Sequence, residues 1–455
     1  MRNICQFHNM IKPSLPKGFR DHLPEEGHKR EFILSAIQDA FHRYGFQHLE
    51  TPLFESIKTL TEKYGEESDQ LLFKVLRSGD FLQKADQEAL DAGDSRALAR
   101  SICESGLRYD LTVPLARVVV QHQSDIQFPF RRYQIGPVFR ADRPQKGRYR
   151  QFTQCDADIV GSSSWVGDVE VLKLYAEVFD TLGLKVVIRV NHRKLMQGML
   201  QHLSLGEQST AVLGALDKMD KIGEEGVRKA LISLGISENV IEEFMAWVKQ
   251  SDYTVAHNEA MQEGRDRLEK IIDVLGDAVQ FDASLARGLD YYTGMVVEVV
   301  SSELEFGSIG GGGRYDELTK VFGGQNLPGV GISFGLDRIV DVMDALERWP
   351  NASHGKPLIL FIHFDEPGMV KGWEYVQQLR SKGIPAELYP DIAKAKKQLK
   401  YADQRGFTYV AMLGDEELSS NTIMVKFLDQ GSQSSMTFDE SVSYTHLRAH
   451  ETRPY

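Results

Sequence analysis

The chain has 455 residues, enough for two or three domains, and its 42% hydrophobic and 26% charged residues are the balance of a globular protein. A formal net charge of −12 excludes a protein that coats nucleic acid through overall basicity, while leaving room for one local basic face. No apolar run approaches the ~20 residues that span a bilayer. The three cysteines lack CxxC spacing and the 13 histidines are dispersed, so neither a disulfide framework nor a zinc site is expected.

Residues 1–17 show no apolar stretch of a secretory leader, which makes a cytoplasmic protein the expectation, with residues 1–15 an extension. From Pro24 to Gly45 apolar residues recur at helical spacing (Phe32, Ile33, Ile37, Ala40, Phe41). FQHLETPLFE, Phe46 to Glu55, then reads as a short strand punctuated by Pro52. The acidic stretch Gly79 to Glu104 reads as a solvated insertion. Strands are predicted over Arg108–Val113, Phe130–Arg140 and Arg150–Val160, the last two joined by the basic loop Ala141–Arg150 into an antiparallel pair. Asp168–Leu182 reads as a helix and Lys185–Val190 as a β-branched strand.

Residues 191–276 are helical in pattern throughout, a separable insertion. Strand and glycine patterns resume at Val279 and run to Leu346. From Lys356 the rhythm becomes strand–helix alternation: PLILFIHF, a helix over Gly368–Ser381, a strand over Pro385–Leu388, a helix over Ile392–Arg405 and a strand over Phe407–Leu413. That alternation predicts a small α/β domain with a largely parallel sheet. The last residues, 442–455, have no apolar period and read as a non-native tail.

Three segments carry chemistry. In FRADRPQKGRYRQF, Phe139–Phe152, Arg140 on a strand offers a planar, permanently charged fork for a phosphate or carboxylate, and Phe152 offers a face for a purine. A solvated basic loop would look the same in isolation. The continuation QCDADIV argues otherwise, because Gln154, Asp156 and Asp158 alternate and so share one sheet face, an expensive arrangement unless that face lines a site. The second segment is ARGLDYYTG, Ala286–Gly294, beside FGSIGGGGRYDEL, Phe306–Leu318. Four consecutive glycines are poor strand formers, and a close approach of ligand to backbone is their expected use; GxxxxGK[ST] is absent, so they form no P-loop. The third is PGVGISFGLDRI, Pro328–Ile339, a small-residue strand running into a helix that carries Asp337 and Arg338.

Together these segments resemble the class II aminoacyl-tRNA synthetases: FQHLETPLFE is similar to their proline-containing dimer strand, FRADRPQKGRYRQF to their arginine-led hairpin and GISFGLDR to their strand–helix motif. RGLDYY and GGGRYDEL resemble the two signatures peculiar to the histidyl-tRNA synthetases, and the resemblance covers about residues 16–440. It implies an α+β catalytic domain on an antiparallel sheet (16–190 and 277–350), the helical insertion clamping an acceptor arm, and an α/β anticodon-binding domain over 356–441. It also implies a homodimer that takes L-histidine, ATP with Mg2+, and tRNA(His).

By the same resemblance, Arg140 and Arg287 are catalytic and grip the carboxylate and α-phosphate from two sides. Asp110, Thr112, Gln154, Asp158, Tyr291 and Tyr292 join those arginines in holding histidine, with Asp158 and Tyr292 on the imidazole. ATP falls to Arg140, Asp142, Arg148, Tyr149, Phe152 and Arg338. No protein side chain is assigned to a metal. Two positions depart from the commoner bacterial pattern: RYDLT, Arg108–Thr112, stands for RPEGT, and Asp158 for Glu. A histidine-sensing regulatory subunit of ATP phosphoribosyltransferase shares the fold, but would lack the C-terminal domain and erode RGLDYY. A tRNA-binding sensor with a degenerate fold would lack one of Arg140, Arg287 and Arg338. This chain retains all of these features.

Overall fold

The computed structural model describes residues 12–61, 71–145, 147–286, 292–350 and 358–442, and the chain forms two compact units, Met1–Trp349 and Pro350–Tyr455. Strands β1 (Gln47–His48), β2 (Phe54–Ser56), β3 (Lys74–Leu76), β4 (Cys103–Leu107), β5 (Phe130–Phe139), β6 (Gln151–Val160), β7 (Val186–His192), β8 (Gln280–Phe281), β9 (Met295–Ser301), β10 (Gly310–Tyr315) and β11 (Gly329–Gly335) belong to the first unit. Eight of them form one sheet in the order β1-β5-β6-β11-β10-β9-β7-β8. Its inner strands pair antiparallel, and only the edge strands β1 and β8 join parallel. The other three make a small sheet, β2-β4-β3.

Period-two alternation gives the large sheet its two faces. On β6, Cys155, Ala157 and Ile159 enter the apolar core, while Gln154, Asp156 and Asp158 face the other way and line a cleft. On β11, Phe334 lies 4.7 Å from the Tyr175 ring and 6.0 Å from the Phe41 ring, edge-on or tilted, as aromatic pairs prefer. Those two rings come from the helices Trp165–Thr181 and Pro24–Arg43, which cover the core face. The next residue along, Ser333, lines the cleft.

Between β7 and β8 run five helices, Arg193–His202, Ser209–Leu216, Met219–Ser233, Glu238–Gln250 and Glu259–Leu275. Their buried Leu195, Met199, Phe244 and Trp247 are continuous with the core of the sheet. The second unit holds β12 (Ile359–His363), β13 (Ala386–Leu388), β14 (Tyr409–Leu413), β15 (Ile423–Phe427) and β16 (Ser432–Met436) in the order β13-β12-β14-β15-β16. The first three are parallel and the last two antiparallel.

Several local expectations are corrected. Phe46–Glu55 is two short strands in different sheets rather than one. The segment 79–104 is mostly exposed, in keeping with a solvated insertion, and carries two short α-helices, Gln87–Asp91 and Ser95–Ile102, each capped by an aspartate side chain, Asp86 and Asp94. Arg108–Val113 is not a strand: β4 ends at Leu107 and a helix starts at Thr112, with Asp110 Oδ1 accepting from the backbone N–H of Val113 at 3.0 Å. The four glycines Gly310–Gly313 are themselves strand, the central β10. Close strand packing makes them glycines: a Cβ on Gly312 would lie 2.1 Å from the Gly331 carbonyl oxygen, and one on Gly313 2.5 Å from that of Met295. Of the suspected tail, 442–455, Val442 is buried in the core of the second unit and so belongs to the fold, while 443–455 lie outside the described residues.

Candidate functional site

A cleft of about 620 Å³ opens on the polar face of the large sheet. Its floor comes from β6, β10 and β11, and its walls from the hairpin loop, the start of the helix Leu336–Ala345 and the segment leading to β9. It gathers Asp110, Thr112, Arg140, Asp142, Arg148 and Tyr149, and also Phe152, Gln154, Asp158, Tyr292 and Arg338. Of the residues nominated from sequence, only Arg287 and Tyr291 are not placed, because they lie outside the described residues.

At the hairpin, Arg140 follows β5 and its Nε donates to the Tyr109 carbonyl at 3.2 Å. Its guanidinium lies 4.2 Å from the Tyr109 ring centroid and 5.2 Å from that of Phe152. Two aromatic faces and one hydrogen bond therefore fix the plane of the charge before any ligand arrives. Arg148, at the hairpin tip, pairs with Asp142 at 3.5 Å. Tyr149 donates to Asp341 at 3.2 Å. From the other wall, Arg338 donates to the carbonyls of Gly147 (2.9 Å) and Ser308 (2.5 Å), so it bridges the hairpin loop and the segment before β10.

Deeper in, three carboxylates are buried together: Asp110, Asp156 and Asp158 are each 2% exposed. The fully buried Arg132, directly opposite Asp158 in the β5–β6 register, brings Nη2 to 2.9 Å from Asp158 Oδ2 and donates to the Leu111 carbonyl. Tyr315, from β10, donates to the other oxygen, Asp158 Oδ1. Burial pushes the Asp156 carboxyl up to about 7, against the pull of Arg132. Asp158 is raised for the same reason, with Arg132 and the Tyr315 hydrogen bond opposing. The geometry at Arg132 is an ion pair and not an aligned hydrogen bond, so Asp158 Oδ2 is left without a donor.

Two more buried acceptors share that condition. Asp110 uses Oδ1 as a helix cap while Oδ2 has no partner. Gln154 donates through Nε2 to Ser333 Oγ at 2.9 Å, and its Oε1 has no partner. A buried acceptor lacking a donor costs on the order of 1–3 kcal/mol. Asp110 Oδ2 and Gln154 Oε1, with Asp158 Oδ2 held only by the Arg132 charge, make a cluster of acceptors suited to a ligand that brings N–H groups. Gly331 makes the arrangement possible, since a Cβ there would lie 2.0 Å from Asp158 Oδ1.

Sequence reasoning passed over Arg132 and Tyr315. Counting back equally along both strands of the hairpin from Phe139 and Gln151 lands on Arg132 opposite Asp158, so that residue was findable. Tyr315 was not, because the glycine run before it was read as something other than a strand.

A family model described as "Histidyl-tRNA synthetase" matches residues 18–86 and 87–339, and one described as "Anticodon binding domain" matches residues 366–446. A histidine–tRNA ligase of Christiangramia forsetii is 47% identical, the match covering 94% of this chain and 98% of that protein. One of Bacteroides fragilis is 43% identical over 95% of this chain and 98% of its own length. Among solved structures, a histidyl-tRNA synthetase from Nostoc sp. superposes with a TM-score of 0.78 at 28% identity, over 95% of this chain and 99% of that one.

Proposed function

Because this chain belongs to the histidyl-tRNA synthetase family, we infer that it is an ATP-dependent histidine–tRNA ligase and that the cleft described above is where both steps of its reaction occur. The observation that carries this reading is the cluster of buried acceptors in the cleft without a hydrogen-bond donor, Asp110 Oδ2, Gln154 Oε1 and the ion-paired Asp158 Oδ2. L-Histidine brings an α-ammonium with three N–H donors and an imidazole with one, which answers that set. Asp110, Thr112 and Gln154 take the amino group, and Asp158 accepts the ring N–H. Tyr315 already donates its hydrogen bond to Asp158, and Tyr292, which lines the cleft, is the hydroxyl assigned to the second ring nitrogen.

In the first step the histidine carboxylate attacks the α-phosphate of ATP, a P–O bond forms, and pyrophosphate leaves to give histidyl-adenylate. Both reactants are anionic, so the work is charge neutralisation and positioning. Arg140, pre-oriented between Tyr109 and Phe152, bridges carboxylate and α-phosphate, and Arg287 meets the α-phosphate from the other side. Phe152 stacks on adenine. Arg338 and Arg148 hold the outer phosphates, beside Asp142 and Tyr149 in the hairpin. A magnesium ion bound with ATP would neutralise charge on those phosphates, and Asp142 and Glu298 are the cleft carboxylates whose oxygen chemistry would suit it. In the second step the terminal ribose hydroxyl of tRNA(His) attacks the activated carbonyl and AMP leaves.

Histidine-dependent exchange of label between pyrophosphate and ATP tests the first step directly. Folded protein without exchange would overturn the reading. The regulatory-subunit alternative predicts that outcome; the match over residues 366–446 favours the ligase.

A cytoplasmic homodimer is the proposed form. Leu53 and Phe54, adjacent at the start of β2, leave 40 and 52% of their surface exposed, apolar surface that a second copy could cover. A monomer mass by light scattering would contradict it. Among the described residues no helix is long and apolar enough to cross a membrane.

A further inference from the structure

We propose that Arg20 is a positioning residue for ATP, holding Tyr149 of the hairpin and Asp337 of the strand–helix motif in one arrangement and so setting the wall on which the phosphates lie. This rests on the ATP reading of the cleft given above. Arg20 comes from a segment with no regular structure, just before the helix Pro24–Arg43, and it lies outside every motif singled out in the sequence.

That segment is fitted to the base of the hairpin. The Gly18 carbonyl accepts from Arg150 N at 2.9 Å, and the Lys17 carbonyl from Arg150 Nη1 at 3.4 Å. Gly18 has φ +88°, and a Cβ on it would lie 2.8 Å from Pro144 and 2.9 Å from Arg150. The chain therefore passes flush against the loop, and a side chain at position 18 would push it away.

Two residues further on, the Arg20 guanidinium sits 3.9 Å from the centroid of the Tyr149 ring. Its Nη2 donates to Asp337 Oδ1 at 2.7 Å, and Nη1 lies 3.4 Å from Glu26. Stacking on a ring while pairing through the edge is a geometry that a planar guanidinium offers and an ammonium does not. Asp337 is a junction, also accepting from Arg30 Nη1 at 2.8 Å on the same oxygen and from Thr153 N of β6 at 2.7 Å on the other. Arg338, the next residue, reaches Gly147 of the hairpin loop. The pair Asp337–Arg338 thus connects Arg20 to the loop on one side, and the stack on Tyr149 connects it on the other.

Without Arg20, Asp337 keeps Arg30 and Thr153, so the helix Leu336–Ala345 stays anchored. The hairpin loses the group stacked on Tyr149. The histidine pocket, formed by Asp110, Gln154, Asp158 and Tyr315, contains none of these contacts. The effect should fall on ATP.

The test uses the full chain with Arg20→Ala and Arg20→Lys, in histidine-dependent ATP–pyrophosphate exchange with each substrate varied in turn. Loss of a partly buried ion pair and a cation–π contact should raise KM for ATP about tenfold in Arg20→Ala. KM for histidine should change little, and the melting temperature should fall only by what loss of the Asp337 ion pair costs. Arg20→Lys should fall between, since it keeps the charge and loses the plane. An unchanged KM for ATP in folded Arg20→Ala, or equal rises for both substrates, overturns the proposal. Should Arg20→Ala fail to fold, Arg20→Lys decides by the same ratio of KM values. A wild-type chain without exchange would remove the ATP reading and this proposal together, whereas normal wild-type exchange with an indifferent variant removes this proposal alone.

Discussion

Asp158 has two neighbours with different duties, and they can be separated by substitution. Tyr315 donates a hydrogen bond to Oδ1, and Arg132 supplies charge beside Oδ2. Tyr315→Phe should leave the ion pair intact and free Oδ1 to turn, raising KM for histidine by about tenfold, the worth of one hydrogen bond to a charged group. Steady-state exchange kinetics would show it, and an unchanged KM would mean that Tyr315 does not orient the carboxylate. The raised carboxyls carry a pH prediction. In the free protein Asp156 is lifted from 3.8 to about 7, and Asp158 is lifted too, so the folded state holds these protons more tightly than the unfolded chain. Their contribution to stability therefore falls as pH rises through that window and recovers as pH falls. Histidine has the opposite preference, because its ring N–H is accepted best by an ionised Asp158, which a proton held on Asp158 would oppose. The rise in melting temperature caused by saturating histidine should shrink as pH drops from about 8 to about 5. A constant increment would argue that these carboxyls stay charged throughout.

At the scale of elements, the insertion is tied to the sheet through one buried carboxylate. Asp168, with no exposed surface, accepts from Arg314 Nε of β10 at 2.9 Å and from Arg267 Nε of the helix Glu259–Leu275 at 2.7 Å. Arg267→Ala removes one partner and leaves Arg314 to neutralise the charge, for a cost of about 1.5–3 kcal/mol. The loss should appear as faster amide exchange in residues 259–275 with histidine activation retained. Uniform destabilisation of the whole first unit would show that the link is not local. Elements also divide what the sequence discloses from what it hides. The alternation of Gln154, Asp156 and Asp158 exposed a polar sheet face, because side-chain period follows from strand geometry alone. Position along a strand pair is harder. The β-branched run around Thr112 and Val113 suggested a strand where Asp110 caps a helix, since capping and burial outweigh propensity there. The serine-rich β16 escaped notice because its residues are mostly exposed, and an edge strand needs no apolar alternation. Arg20 escaped because its partners are 129 and 317 residues away in the chain, at Tyr149 and Asp337.

For the whole molecule, two compact units with separate cores suggest a separation of labour. The nominated residues that the structure places all belong to the first unit. A chain ending at Trp349 should retain histidine-dependent exchange within a few-fold while transfer to tRNA(His) falls by tenfold or more, the loss of about 1.4 kcal/mol or more of remote binding energy. Comparing exchange and charging rates on the two proteins measures it. Parallel loss of both would mean that the second unit supports the cleft itself.

Arg338 is set before its ligand arrives. In the structure its guanidinium is already engaged by the carbonyls of Gly147 and Ser308. Those two bonds draw on two of the five N–H donors of the fork and fix its plane. In the proposed role, an outer phosphate therefore meets a charge whose orientation the backbone has already set, and the same two carbonyls keep that orientation when pyrophosphate leaves.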